Sequence, residues 1–330
     1  MEAKNNSCSD ALNSRRHTCL VFLTAALALA GAAQAQTYNF TILNAPLGVN
    51  GTSANDISGN NIVGYYIDSG GVDNGYVYNG TSYTTIDDPL GVNGSLAFGI
   101  SGNNIVGYYT DSSGLAHGFV YNGTSYTTLD DPNAASTTVA TGSSGNNIVG
   151  YYSDGSAVYY SFVYNGTDFT TIGPSGAQYS LAEDISGNNI VGCYVTGGSP
   201  LNGYLYNGTS YTTLEDPFGV GGTSANGISG NNIVGYYIDS GGVDNGYLYN
   251  GTSYTTIDDP LGVNGTVTYG ISGDDIVGYY IDADGVHHGF EATPTPEPSA
   301  CAILVMGAVV LFGFGRAGRF RASQSFGLRH

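Results

Sequence analysis

Ile62-Val63-Gly64-Tyr65-Tyr66-Ile67-Asp68 reads as one β-strand, apolar on both faces, and the chain repeats it six times. The glycine of the Ile-Val-Gly core recurs at Gly64, Gly107, Gly150, Gly192, Gly235 and Gly278, a step of 43 residues broken once by 42. A period of that length signals a propeller, a solenoid or an array of repeats. An apolar run without alternation is what a strand needs when it is squeezed between two neighbouring sheets.

Working outward from this strand, one repeat resolves into four. Ala54 to Ser58 is a short first strand, and Ser58-Gly59-Asn60-Asn61 turns it into Ile62 to Asp68. Asp68-Ser69-Gly70-Gly71 turns again into Gly75 to Tyr78, and Asn79-Gly80 predicts a two-residue hairpin turn into Ser82 to Ile86. Four antiparallel strands per repeat match a propeller blade. Near the N-terminus, Tyr38-Asn39-Phe40-Thr41-Ile42 copies a fourth strand, while the last repeat stops after its third, His288-Gly289-Phe290. The N-terminal strand would then complete the last sheet and remove two exposed edges. The expectation is an all-β fold, a six-bladed β-propeller of four-stranded blades closed by the N-terminal strand, spanning 36–293; a β-solenoid is the alternative.

The charges are distributed unevenly. Lys4, Arg15 and Arg16 precede the first apolar run, and Arg316, Arg319, Arg321 and Arg329 follow the last; Gln36 to Pro298 holds no Lys or Arg and 24 Asp and Glu. Phosphate recognition depends on Lys and Arg, so nucleic acid is excluded as a partner. Cys193 is the only cysteine among the repeats, so no disulfide framework holds them together.

The ends carry addresses. Arg15 and Arg16 lead into apolar Leu20 to Ala30, and Ala33-Gln34-Ala35 supplies the small residues that signal peptidase requires. Residues 1–35 are therefore expected to be a secretory signal cleaved after Ala35. At the other end, Pro296-Glu297-Pro298 closes a linker from 294, the apolar stretch 299–315 follows, and Arg316, Arg319 and Arg321 open a basic tail over 316–330. The apolar stretch is slightly short for a hydrocarbon core of about 30 Å, which snorkelling arginines offset. Arginines on its far side keep that end in the cytoplasm and place the repeats outside.

This tripartite ending resembles the PEP-CTERM sorting signal of Gram-negative bacteria, read by an exosortase. The resemblance implies that Pro296, Glu297 and Pro298 form the recognition motif, that the helix is a transient membrane anchor, and that the product reaches the cell surface or extracellular matrix. The tail after Arg321 is longer than that pattern usually shows. The repeats also resemble the extracellular repeats called HAF, which pair an Ile-Val-Gly strand with a His/Ala-Gly/Phe-Phe strand; His117-Gly118-Phe119 and His288-Gly289-Phe290 carry that likeness.

Chemistry is sparse. Turns after the second and fourth strands collect Asp68, Asp73, Asp87, Asp88 and their counterparts on one face, read as solvated turn residues opposite a neutral face. Carboxylates are hard donors suited to Ca2+, and Asp282-Ala283-Asp284-Gly285 looks like part of a calcium loop, making Asp282 and Asp284 the candidate metal ligands; it lacks a distal bidentate Glu. The propeller needs no cofactor on this reading. No Ser lies in a nucleophile elbow and no Cys/His cluster has metal-ligand spacing. The Asn-Gly-Thr tripeptides at Asn79, Asn122, Asn165, Asn207 and Asn250 read as turns, and the tyrosine pairs as packing between blades. The repeats that diverge most lie around Ser143 to Phe162 and around Cys193. Together these readings describe a non-catalytic binding or structural module that associates with exopolysaccharide or envelope; the alternative is a secreted glycan hydrolase using paired carboxylates.

Overall fold

The computed structural model describes residues 36–296, apart from Ala157 and Ser199. The compact unit runs from Tyr38 to Pro296. It opens with β1 (Tyr38–Leu43). Blade one is β2 (Thr52–Ser58), β3 (Asn61–Ile67), β4 (Asp73–Tyr78) and β5 (Tyr83–Thr85). Blade two is β6 (Ser95–Ser101), β7 (Asn104–Thr110), β8 (Ala116–Tyr121) and β9 (Tyr126–Leu129). Blade three is β10 (Thr137–Ser144), β11 (Asn147–Ser153), β12 (Tyr159–Tyr164) and β13 (Phe169–Ile172). Blade four is β14 (Tyr179–Ser186), β15 (Asn189–Val195), β16 (Asn202–Tyr206) and β17 (Tyr211–Leu214). Blade five is β18 (Gly222–Ser229), β19 (Asn232–Ile238), β20 (Asp244–Tyr249) and β21 (Tyr254–Thr256). Blade six is β22 (Thr266–Ser272), β23 (Asp275–Ile281) and β24 (His287–Pro294), completed by β1.

Every first strand carries a β-bulge, at Asn55, Phe98, Thr141, Glu183, Asn226 and Tyr269. The bulge bends the strand and re-aims one side chain, here towards the propeller axis, where all six bulged residues line one small void. It also explains the repeat signature. A Cβ on Gly64, Gly107, Gly150, Gly192, Gly235 or Gly278 would be driven into the carbonyl oxygen of Ser53, Leu96, Val139, Leu181, Ser224 or Val267, respectively. Glycine stands there because backbone occupies the place of its side chain.

The core lies between blades. Val63, Ile86, Ala97, Ile100, Ile105 and Phe119 join blades one and two, and the same layers recur around the ring. One aromatic per third strand is fully buried: Tyr76, Phe119, Phe162, Tyr204, Tyr247 and Phe290. The Tyr66, Tyr109, Tyr152 and Tyr237 rings are also buried, each sharing a hydrogen bond with a fourth-strand threonine. The ring is closed, which excludes the β-solenoid. β1 pairs antiparallel with β24 from Tyr38↔Pro294 to Leu43↔Gly289, and Leu43 and Val277 pack on Ala54, Ile57 and Ile62 of blade one. Across this seam the Gly59 N–H donates to Ser272 Oγ at 3.3 Å, a link repeated from Gly102 to Ser58, Gly187 to Ser144 and Gly273 to Ser229.

One local expectation is corrected. The predicted two-residue Asn-Gly turn is a four-residue loop, since Tyr78 pairs with Tyr83. Asn79 Oδ1 accepts from the N–H of Thr81 at 3.1 Å and of Ser82 at 2.9 Å, so the asparagine closes the loop from its side chain. The two-residue turn sits instead between first and second strands, where Ser58 pairs with Asn61. Deleting residues 37–43 removes β1 and uncovers the seam between blades six and one. The expected result is a fall in Tm of at least about 5 °C by calorimetry; an unchanged Tm would show that β1 does not close the ring.

Candidate functional site

On the axis, four blades place glycine after the bulge, at Gly99, Gly142, Gly227 and Gly270, where a Cβ would collide with the next blade; at Gly270 it would lie 2.6 Å from Asp56 Cα. Blades one and four place Asp56 and Asp184 there instead. Asp56 accepts from the N–H of Ile57 at 2.8 Å and, across the seam, of Ile100 at 2.7 Å. Asp184 repeats this with Ile185 at 2.7 Å and Ile228 at 2.9 Å. Asn55 and Asn226 donate to the carbonyls of Ala97 and Thr268, and Thr141 to that of Ala182. The axial residues are thus rivets between successive blades, and the void among them is only about 10 Å³, room for about one water molecule.

Asp56, Glu183 and Asp184 retain some accessible surface in this channel, yet protein encloses them and no Lys or Arg lies between Gln36 and Pro298. Burial, with the Asp184 charge second, pushes Glu183 up to about 8. Burial likewise raises Asp184, and burial and the Asp184 charge raise Asp56, against the pull of their backbone N–H partners. The sequence reading missed this trio by treating the acids as recurring turn residues. The signal was present: Asp56 and Asp184 interrupt a column of glycines.

The face bearing the turns after second and fourth strands holds the expected acids, in two environments. Asp68, Asp111, Asp239 and Asp282 cap their own turns; Asp68 Oδ1, for example, accepts from the N–H of Gly70 at 2.7 Å and Val72 at 3.0 Å. Backbone hydrogen bonds, that from Val72 first, hold the Asp68 carboxyl below its ordinary range. Asp88, Asp131, Asp216 and Asp259 are buried rather than solvated, as each caps the loop to the next blade through the N–H of Leu90, Asn133, Phe218 or Leu261. Nor is the face purely acidic. Leu47 and Val49, Leu90 and Val92, Phe218 and Val220, and Leu261 and Val263 are exposed in four inter-blade loops. These loops serve consecutive seams, so the apolar pairs form an arc from blade four round to blade two.

Asp282 and Asp284 share a turn. Asp282 Oδ1 accepts from the N–H of Asp284 and of Val286, both at 2.9 Å, and its Oδ2 lies 3.0 Å from His288 Nε2; Asp284 is exposed. Among the described residues no group of three or more His, Cys, Asp or Glu is arranged to hold a metal ion. His117 sits between Asp130, at 3.0 Å, and Asp111, at 3.5 Å. Burial works against its charge, but these carboxylates prevail and raise its pKa. Pro296 is exposed and ends the described residues; Ala33, Ala35, Glu297, Pro298, Arg316, Arg319, Arg321 and the apolar stretch 299–315 lie outside them.

The seam between blades two and three departs from the pattern in its first strand. Ile57, Ile100, Ile185, Ile228 and Ile271 are buried at equivalent positions of the other first strands, and blade three has Ser143. At this seam a cleft of about 450 Å³, open to solvent, lies between the two blades, with Val106, Val120 and Leu129 on one side and Ser143, Ile148 and Tyr164 on the other. Ser143 Oγ lies there without a hydrogen-bond partner in the protein. The divergence around Ser143 was legible in the sequence; that it falls on a seam was not.

Axial burial fixes a pH dependence. In the unfolded chain Glu183 and Asp184 ionise in the ordinary carboxylate range, while the folded protein keeps their protons to higher pH, about 8 for Glu183. Their contribution to stability is fully present below the unfolded values and is lost as pH rises towards about 8. Every tenfold difference in proton affinity between folded and unfolded chain is worth about 1.4 kcal/mol. Calorimetry from pH 5 to 8.5 should show Tm falling, with a shallower slope in Glu183→Gln and Asp184→Asn; a Tm that climbs across this window would contradict the assignment.

No family model matches the sequence, and no curated protein matches it. Solved structures do match in fold. The SapL1 lectin, solved with α-methyl fucoside, is 15% identical with TM-score 0.50, over 75% of this chain and 93% of the lectin. The Aleuria aurantia lectin, described as a six-bladed β-propeller, is 13% identical with TM-score 0.43, over 80% and 98%. TolB from Acinetobacter baumannii is 14% identical with TM-score 0.48, over 70% and 63%. At these identities the likeness is one of architecture; the chain's own strands make it a six-bladed, all-β propeller of four-stranded blades.

Proposed function

We propose that this chain is exported by its N-terminal signal, sorted on Pro296-Glu297-Pro298 with 299–315 as a transient anchor, and released to the cell surface or matrix. There its propeller acts as a non-catalytic binding module for exopolysaccharide or other envelope glycans. Signal peptidase and an exosortase are its partners during export. The observation that carries the binding reading is the contrast between two spaces, a solvent-open cleft between blades and the narrow axial void. The cavity at Ser143, about 450 Å³, falls in the range of small-molecule sites, roughly 300–1,000 Å³, and no Asp, Glu or His lines it. The axial carboxylates, by contrast, border about 10 Å³. Two carboxylates hydrolyse a glycoside only with a sugar ring between them, and the axis has no room for one. Export is supported by the segregation of every Lys and Arg to the two ends.

Two measurements test this. A glycan array and a hydrolysis screen on the exported protein, with fucosides in the panel because SapL1 takes one, should give binding without turnover. Turnover abolished by a single Asp or Glu substitution would sink the non-catalytic reading. Mass spectrometry of the mature protein should find Gln36 at the N-terminus and a C-terminus close to Pro298; an intact tail through His330 would overturn the sorting step.

A further inference from the structure

We propose that the seam between blades two and three is a single binding site for one neutral sugar residue, with the Ser143 hydroxyl as a polar contact at its floor. The proposal rests on the glycan-binding reading and assigns it a place. Six equivalent seams surround the propeller, and in five an isoleucine closes the gap. Blade three alone has a serine there, beside the cleft, so the proposal is for one site per chain.

The lining sets the ligand class. Val106, Val120, Leu129 and Ile148 form an apolar wall, while Thr127, Ser143, the amides of Asn104 and Asn146 and the Tyr164 phenol supply neutral donors and acceptors. A pyranose presents those two surfaces, C–H groups on its faces and hydroxyls at its rim. A charged ligand fits less well. No Lys or Arg exists in this part of the chain to meet an anion, which the surrounding acids repel, and no carboxylate lines the cavity to meet a cation. The buried Ser143 Oγ has no partner in the protein, and a sugar hydroxyl would provide one.

The test is titration calorimetry of the exported protein with methyl fucoside, methyl galactoside, methyl glucoside and glucuronate. At least one neutral glycoside should bind at one site per chain. Ser143→Ile restores the residue found in the five sister blades, and should weaken that binding at least tenfold while leaving Tm unchanged or raised. If this variant does not fold, Asn146→Ala, at an exposed position, should weaken binding at least threefold. Undiminished binding in these variants would overturn the seam site and leave the glycan-binding reading standing. Failure of every glycoside to bind the parent protein, with a blank glycan array, would overturn both. Binding of glucuronate alone, or near six sites per chain, would overturn the proposed ligand class or the single-site claim.

Discussion

The propeller depends on a backbone oxygen that takes the place of a side chain. In each blade the first strand bulges, and the carbonyl just before the bulge presses onto the glycine of Ile-Val-Gly in the second strand. That contact bends the inner strand, turns the bulged residue towards the axis and lets the Val and Ile beside the glycine reach the neighbouring blade. A side chain at any of the six glycines would overpack the blade, a change that costs about 1–3 kcal/mol per site in well-packed cores. The repeat therefore shows its glycine more uniformly than its aromatic: Tyr76, Tyr204 and Tyr247 alternate with Phe119, Phe162 and Phe290 at one buried position. Where these tyrosines occur their hydroxyls find partners, as Tyr76 and Tyr247 do on the carbonyls of Ser53 and Ser224.

A chain without Lys or Arg between Gln36 and Pro298 must place its acids by other means. Exposed turn aspartates such as Asp68 collect backbone N–H groups and stay ionised below the ordinary range. The aspartates of the inter-blade loops are buried, each spending one oxygen on a loop N–H. The axial trio lies where burial favours the neutral acid. The protein thus uses carboxyl groups as caps, as loop locks and as axial rivets, and the surroundings of each select its role.

Departures from symmetry concentrate in two adjacent blades. Blade three carries Ser143 in place of isoleucine and Ser161 in place of glycine, the latter bonded to Ser180 Oγ at 3.1 Å. Blade four carries Glu183, Asp184 and the buried Cys193. The apolar arc of inter-blade loops passes over the other seams and stops short here, where Asn133-Ala134-Ala135 and Ser175-Gly176-Ala177 replace the Leu-Gly-Val pattern. The ring therefore has a regular part, built from near-identical seams, and an irregular part, where a cavity opens.

The sequence by itself determined the period, the four strands per blade, the six blades and the completing role of Tyr38 to Ile42. These follow from local patterning: apolar runs, turn residues and a missing last strand are all readable along one dimension. It also exposed the positions that break the repeat, Ser143 and Cys193 among them. Only the tertiary structure decided what those positions do. The Asn79 loop depends on which residues pair across it, and the burial of Asp88 and its counterparts depends on how one blade feeds the next. Asp56 meets Ile100 and Asp184 meets Ile228 across seams, contacts that come from ring closure and from no neighbour in sequence. The cleft beside Ser143 was invisible for the same reason, because the residues around it belong to two blades that meet only when the ring is formed.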